Sequence, residues 1–158
     1  TNLFCAPNEY RAKRNFGYLW KRVSLMDDKL VDLFFSSDLA TQKLINYIGI
    51  LRMDKLHFEF VLNVYKEKII LGVPEINDAD ANVFFSDMSV QSDDVAKFTD
   101  VTRRRLRSAY FYMMAEAGII TVTGKTRNIT PPIIDIALER YLVANGEEAI
   151  VKALTGVR

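Results

Sequence analysis

The sequence predicts a mainly α protein, a two-lobed helical bundle whose C-terminal lobe resembles a winged helix-turn-helix and carries one short β-hairpin. Three observations predict it. Apolar residues recur at helical spacing along almost the whole chain, while strand-type alternation is confined to residues 119–130. Capping residues and glycine or proline stops divide the helical stretches from one another. The stretch from Thr102 to Ala117 opens on Arg103, Arg104, Arg105 and Arg107 and runs through Gly118 into a β-branched ribbon. A basic helix that feeds a hairpin is the order in which a winged helix meets DNA.

Taken in order, Asn8 caps a first helix to about Arg22, with Tyr10, Phe16 and Trp20 among its apolar residues and Gly17 as a weak point. Leu25, Leu30, Val31, Leu33 and Phe34 mark a second, shorter helix. Ser37 or Asp38 caps a third, in which Leu44, Ile45, Ile48 and Leu51 share a face. Asp54 opens the longest segment, Lys55 to Leu71, which Gly72 and Pro74 terminate. Residues 72–77 combine a helix stop, a proline and a reversal of charge, so the linker falls there and divides the chain into lobes 1–73 and 74–158. One compact unit also fits the length.

In the second half, Asp78 begins a helix through Phe84 and Phe85, and Ser92 or Asp93 a short one around Val95 and Phe98. Asp100 caps the arginine-bearing helix. The ribbon reads Ile119 to Thr123, a Gly124-Lys125 turn, then Thr126 to Thr130. Thr130 caps the next helix with Pro131 and Pro132 in its first turn, and Gly146 closes it. A final helix from Glu147 to Leu154 starts acidic and stops at Gly156.

With 158 residues, 49% apolar and 26% charged, the chain has enough apolar material for a folded core. The formal charge of +1 hides a segregation along the sequence. Arg11, Lys13, Arg14, Lys21 and Arg22 face only Glu9 in the opening helix; seven carboxylates between Glu75 and Asp100 face only Lys97. After Val101 the sign returns to positive. Cys5 is the lone cysteine, which excludes an intrachain disulfide and two-cysteine zinc motifs and points to a reducing, cytoplasmic setting. No apolar run approaches the roughly 20 residues of a membrane-spanning helix.

Catalysis lacks its ingredients. The single histidine, His57, lies mid-helix between Leu56 and Phe58 with no nucleophile or orienting acid patterned around it. No glycine loop for phosphates appears, and the aspartates of 78–100 do not follow a calcium-loop spacing. The expectation is a non-enzyme with no cofactor and no metal.

Binding has a better case. Projected at 100° per residue, Leu106, Ala109, Tyr110, Met113 and Ala117 fall on one side of the 102–117 helix, while Arg104, Arg107 and Ser108 lie opposite and Arg103 and Arg105 flank them. The guanidinium fork bonds phosphate oxygens bidentately. Cations in a helix's first turns also oppose its dipole, so they are placed there at a cost. The candidate DNA contacts are therefore Thr102, Arg103, Arg104, Arg105, Arg107 and Ser108, with Lys125 and Arg127 from the hairpin. Arg11, Lys13, Arg14, Lys21 and Arg22 form a secondary basic surface. A basic helix neutralised inside the fold by the acidic 75–100 segment would read the same way.

Several short strings, in order, carry a resemblance: Asp38-Leu39-Ala40-Thr41, Glu67-Lys68 with Leu71-Gly72, Phe84-Phe85, and Lys97-Phe98-Thr99 with Thr102 and Arg105-Leu106. Glu116-Ala117-Gly118 and the tail Leu154-Thr155-Gly156-Val157-Arg158 complete the set. Through them the chain resembles the BrxA family, the small helical A component of BREX bacteriophage-exclusion systems. The resemblance implies a non-catalytic helical protein of a phage-defence locus, similar in part to the NusB antitermination fold, that binds double-stranded DNA beside other BREX components. It also implies residues upstream of Thr1, which family members usually have. A protein-interaction scaffold and a NusB-like RNA-binding protein remain alternatives.

Overall fold

The computed structural model describes residues 3–157; Thr1, Asn2 and Arg158 lie outside the described residues. Helix starts fall where side-chain oxygens meet free backbone amides. Asn8 accepts from the Arg11 amide at 2.9 Å and begins α1 (Glu9–Ser24), and Asp27 accepts from Leu30 at 2.9 Å to begin α2 (Asp28–Ser36). Leu25 belongs to the end of α1, not to the second helix. Between the two candidate caps of α3 (Leu39–Met53), Asp38 takes the role, accepting from Thr41 at 2.8 Å. Asp54 holds the His57 amide at 2.9 Å and starts α4 (Lys55–Phe60).

The long fourth segment is continuous but irregular. Between α4 and α5 (Lys66–Leu71), residues Val61–Tyr65 form a π turn, whose wider loop puts both Val61 and Tyr65 in the core. Gly72 then adopts φ +69° and ends the helix. A reciprocal capping box of Asn77 and Asp80 begins α6 (Asp78–Gln91). After the short α7 (Asp93–Ala96) comes α8 (Asp100–Glu116). Its cap is Thr99, not Asp100, with the Thr99 hydroxyl accepting from the Thr102 amide at 3.2 Å. Asp100 sits instead in the first turn, where its charge suits the dipole.

Strands β1 (Ile120–Thr123) and β2 (Thr126–Ile129) form an antiparallel hairpin with Ile120 opposite Ile129. The expected linker at 72–77 is hydrogen-bonded to it. Ile76 donates to the Arg127 carbonyl at 3.1 Å and Ile129 donates to the Pro74 carbonyl at 2.8 Å, which covers the outer edge of β2. The next helix is also displaced from expectation. It starts at Asp135, whose carboxylate accepts from the Ala137 amide at 2.8 Å, and α9 spans Ile136–Ala144. Thr130 and Pro131 both precede prolines, which disfavour helical geometry in the residue before them. Finally α10 (Glu148–Thr155) ends at Gly156 with φ +73°.

Nearly all the buried apolar side chains among the described residues form one cluster, from Leu30 through Phe60, Phe85 and Tyr110 to Leu154, so residues on both sides of position 73 share it. Its centre is aromatic. Phe60 of α4 meets Phe84 of α6 at 5.2 Å and Tyr110 and Phe111 of α8 at 5.7 and 5.9 Å, and these edge and tilted contacts lock three helices together. The Tyr65 hydroxyl donates to the Ile119 carbonyl at 2.8 Å, fixing the π turn to the root of the hairpin. Arg52 closes the far side with a bidentate grip on Glu147 at 2.7 and 2.6 Å.

Candidate nucleic-acid interface

The aromatic lock decides which way α8 faces. Tyr110, Phe111 and Met114 are its buried residues, Leu106 and Met113 are half-buried, and Ala109 is exposed. The buried stripe is therefore turned toward Phe111 and Met114, two residues that lie off the apolar side in an ideal helical projection. Arg103 and Arg107 precede Tyr110 and Met114 at seven-residue spacing, so the rotation carries them inward while Arg104, Arg105 and Ser108 remain exposed.

Arg103, Arg104 and Arg107 consequently meet in a cleft of about 320 Å³ between α6 and α8, shared with Asn82, Ser86 and Asp100. Arg107 donates to Asn82 Oδ1 at 2.9 Å and reaches Asp78 at 3.3 Å. The Nε of Arg103 is buried without a hydrogen-bond partner in the protein. Desolvating a charged donor in this way is costly unless something accepts from it. Asp78, Asn82 and Ser86 recur every four residues on one face of α6, a spacing that marks the cleft's second wall in the sequence itself.

The hairpin divides its two cations. Lys125 is exposed in the turn. Arg127 is not a wing-tip residue: it pairs with Asp78 at 2.9 Å and lies over the Phe111 ring at 4.0 Å from its centroid. Both Arg107 and Arg127 thus converge on one carboxylate, so this part of the basic surface is balanced within the fold by the acidic segment. Thr102 is likewise engaged locally, its hydroxyl 3.0 Å from that of Thr99. Arg11, Lys13, Arg14, Lys21 and Arg22 lie on α1, which packs on α3. Lys13 pairs with Glu9 at 2.8 Å and Arg22 donates to Asn46 at 3.2 Å.

His57 is fully buried. Its Nε2 lies 2.9 Å from the Tyr47 hydroxyl and its ring stacks on Tyr110 at 4.2 Å. Burial pushes the imidazole down to about 3, so it is neutral near pH 7. Among the described residues no helix is long and apolar enough to cross a membrane.

Fold and surface define a small, mainly helical protein that presents arginines from the start of one helix beside a short antiparallel hairpin. A sequence model of the BrxA family matches residues 1–146, and the chain is 31% identical over 155 residues to the BREX protein BrxA of Bacillus cereus (strain H3081.97). That alignment covers 98% of this chain and 78% of the relative. The chain belongs to the BrxA family. In fold it is similar to the crystal structure of an uncharacterized protein from Magnetospirillum magneticum, with a TM-score of 0.79 at 16% identity, covering 93% of this chain and 77% of that one.

Proposed function

We propose that the protein is a non-catalytic, double-stranded-DNA-binding accessory component of a BREX phage-defence system, working in the cytoplasm beside the other BREX components. The observation that carries this reading is the convergence of Arg103, Arg104 and Arg107 on one polar cleft, with Arg105 and Ser108 exposed on the same helix. Three guanidinium groups in one concave site suit a ligand with closely spaced negative charges. In this reading α8 is the DNA-facing helix of a winged helix-turn-helix, with Lys125 as the wing's phosphate contact and Arg127 as the residue that holds the wing in place. Binding is to the phosphate backbone with little sequence preference.

Asp78 favours a second reading. Because it neutralises Arg107 and Arg127 internally, the surface retains less positive charge than the sequence offers, which suits a scaffold that docks protein partners. Anisotropy titrations with duplex DNA across a salt series, with single-stranded RNA as competitor, separate the readings. DNA binding predicts a log-log salt slope that falls by about 1 for each phosphate-contacting arginine removed. An Arg103/Arg104/Arg107 triple alanine variant with unchanged affinity would remove this surface from the account, and preference for RNA would favour the antitermination-like alternative.

A further inference from the structure

The two walls of the α6–α8 cleft differ in what they leave unused. On the α8 side, no hydrogen bond or ion pair among the described residues engages the guanidinium of Arg103 or Arg104, and the Arg103 Nε is buried without an acceptor. On the α6 side, Asn82 accepts from Arg107 through Oδ1 and keeps its Nδ2 as a donor. Among the described lining residues Asp100 is the one carboxylate. Asp78 holds both Arg107 and Arg127. Four guanidinium groups, on Arg103, Arg104, Arg107 and Arg127, thus stand against the carboxylates of Asp78 and Asp100, and two positive charges are left over.

We propose that this cleft takes a terminal phosphate, the monoester at the 5′ end of a DNA strand or on a free nucleotide, rather than an internal diester. The inference rests on the reading of the cleft as a phosphate site and names the kind of phosphate. Charge is the first argument. A phosphate monoester carries about −1.5 to −2 near neutral pH and presents three strong acceptor oxygens. An internal diester carries one charge. The two uncompensated guanidinium charges therefore match the monoester, and the donors of Arg103, Arg107 and Asn82 suit its three oxygens.

Shape is the second argument. The site is a recess of about 320 Å³ between two helices. An internal phosphate lies on the convex outside of a duplex with the chain continuing on both sides of it, a poor fit to a recess. A terminal phosphate is tethered on one side only and can enter. Arg103 and Arg107 are half-buried and sit within the site, whereas Arg104, Arg105 and Ser108 are exposed on the same helix, where the diesters that follow a strand end would pass. A phosphopeptide carries the same terminal group, but it brings no run of charges for Arg104 and Arg105 to meet.

Anisotropy titrations compare a short blunt duplex carrying 5′-phosphates with the same duplex ending in 5′-hydroxyls, closed-circular DNA serves as a competitor without ends, and calorimetry follows deoxyadenosine 5′-monophosphate alone. The expected result is binding of the phosphorylated duplex at least about tenfold tighter, the size of one charge-assisted hydrogen bond. Asn82→Asp keeps an acceptor for Arg107 and adds a negative charge to the cleft, so it should bring that ratio to about one with helicity unchanged by circular dichroism; Arg103→Gln should lower the ratio likewise. If the nucleotide binds the wild type but not Asn82→Asp, while the two duplexes bind alike, the free nucleotide is the source and the cleft's ligand class stands. Nucleotide binding without any DNA binding keeps that ligand class and removes the duplex reading. Equal affinity for the two duplexes with no nucleotide binding overturns the proposal, and salt-dependent binding of closed-circular DNA in that case leaves the backbone reading in place without it. A 5′-phosphate preference that persists in Asn82→Asp overturns it as well, and so does a phosphoserine peptide that binds more tightly than the nucleotide and either duplex.

Discussion

Arg104 and Arg127 have the same side chain and different work. Arg104 is exposed, whereas Arg127 is held by Asp78 and by the face of Phe111. Under the proposed DNA-binding function, Arg104→Ala should lower the DNA salt slope by about 1 and leave stability within about 0.5 kcal/mol, while Arg127→Ala should leave the slope in place and cost about 1–2 kcal/mol in urea unfolding. Under the same proposal, Asp78→Asn should tighten DNA binding at low salt, because it releases two guanidinium groups from an internal competitor. The histidine gives a pH signature. His57 stays neutral in the fold down to about 3, while in the unfolded chain it takes up a proton below its ordinary value of 6.5. Stability is therefore fully present above pH 6.5 and falls by about 1.4 kcal/mol per unit as pH drops below it. Between pH 6.5 and 5, His57→Leu should flatten that slope in denaturant titrations. Gly156 is fixed twice over, by φ +73° and by Ile69, which an added Cβ would overlap. Gly156→Ala should cost at least about 2 kcal/mol in the same assay.

At the scale of elements, several caps were legible and orientation was not. Asn8, Asp38 and Asp54 announce their helices because a cap is a contact within four residues. The rotation of α8 depends on Phe60, Phe84 and Phe85, which no local rule connects to it. Its consequence is measurable: Phe111→Ala should cost about 3 kcal/mol, whereas Ala109→Glu should stay within about 0.5 kcal/mol, the reverse of what the ideal projection implies. Loss of the helix start at Thr130 has a local cause instead, since consecutive prolines hold their predecessors extended. The 72–77 segment looked like a linker from composition alone. Its hydrogen bonds to β2 join residues about fifty positions apart, and protection of the Ile76 and Ile129 amides from hydrogen exchange tests that pairing directly.

Across the whole molecule, the buried cluster passes through position 73, and Arg52 of α3 grips Glu147 just ahead of α10. Such continuity predicts one cooperative transition, with calorimetric and van't Hoff enthalpies equal; two resolved transitions would support separate lobes 1–73 and 74–158. Charge segregation is also rearranged at this scale. The acidic 75–100 segment returns to the basic one through Asp78, and to α5 through the Lys68–Asp80 pair at 2.9 Å. The opening helix keeps Arg11, Lys13, Arg14 and Lys21 exposed and Arg22 half-buried, and it buries none of its own residues fully.

The sequence by itself determined the helical class, the hairpin, the main helix stops and the family strings, because each of these is written in residues close along the chain. Tertiary structure decided which arginines face outward and which carboxylate they meet. Those outcomes depend on aromatic packing and ion pairs between segments far apart in sequence, whose relative orientation no local periodicity encodes.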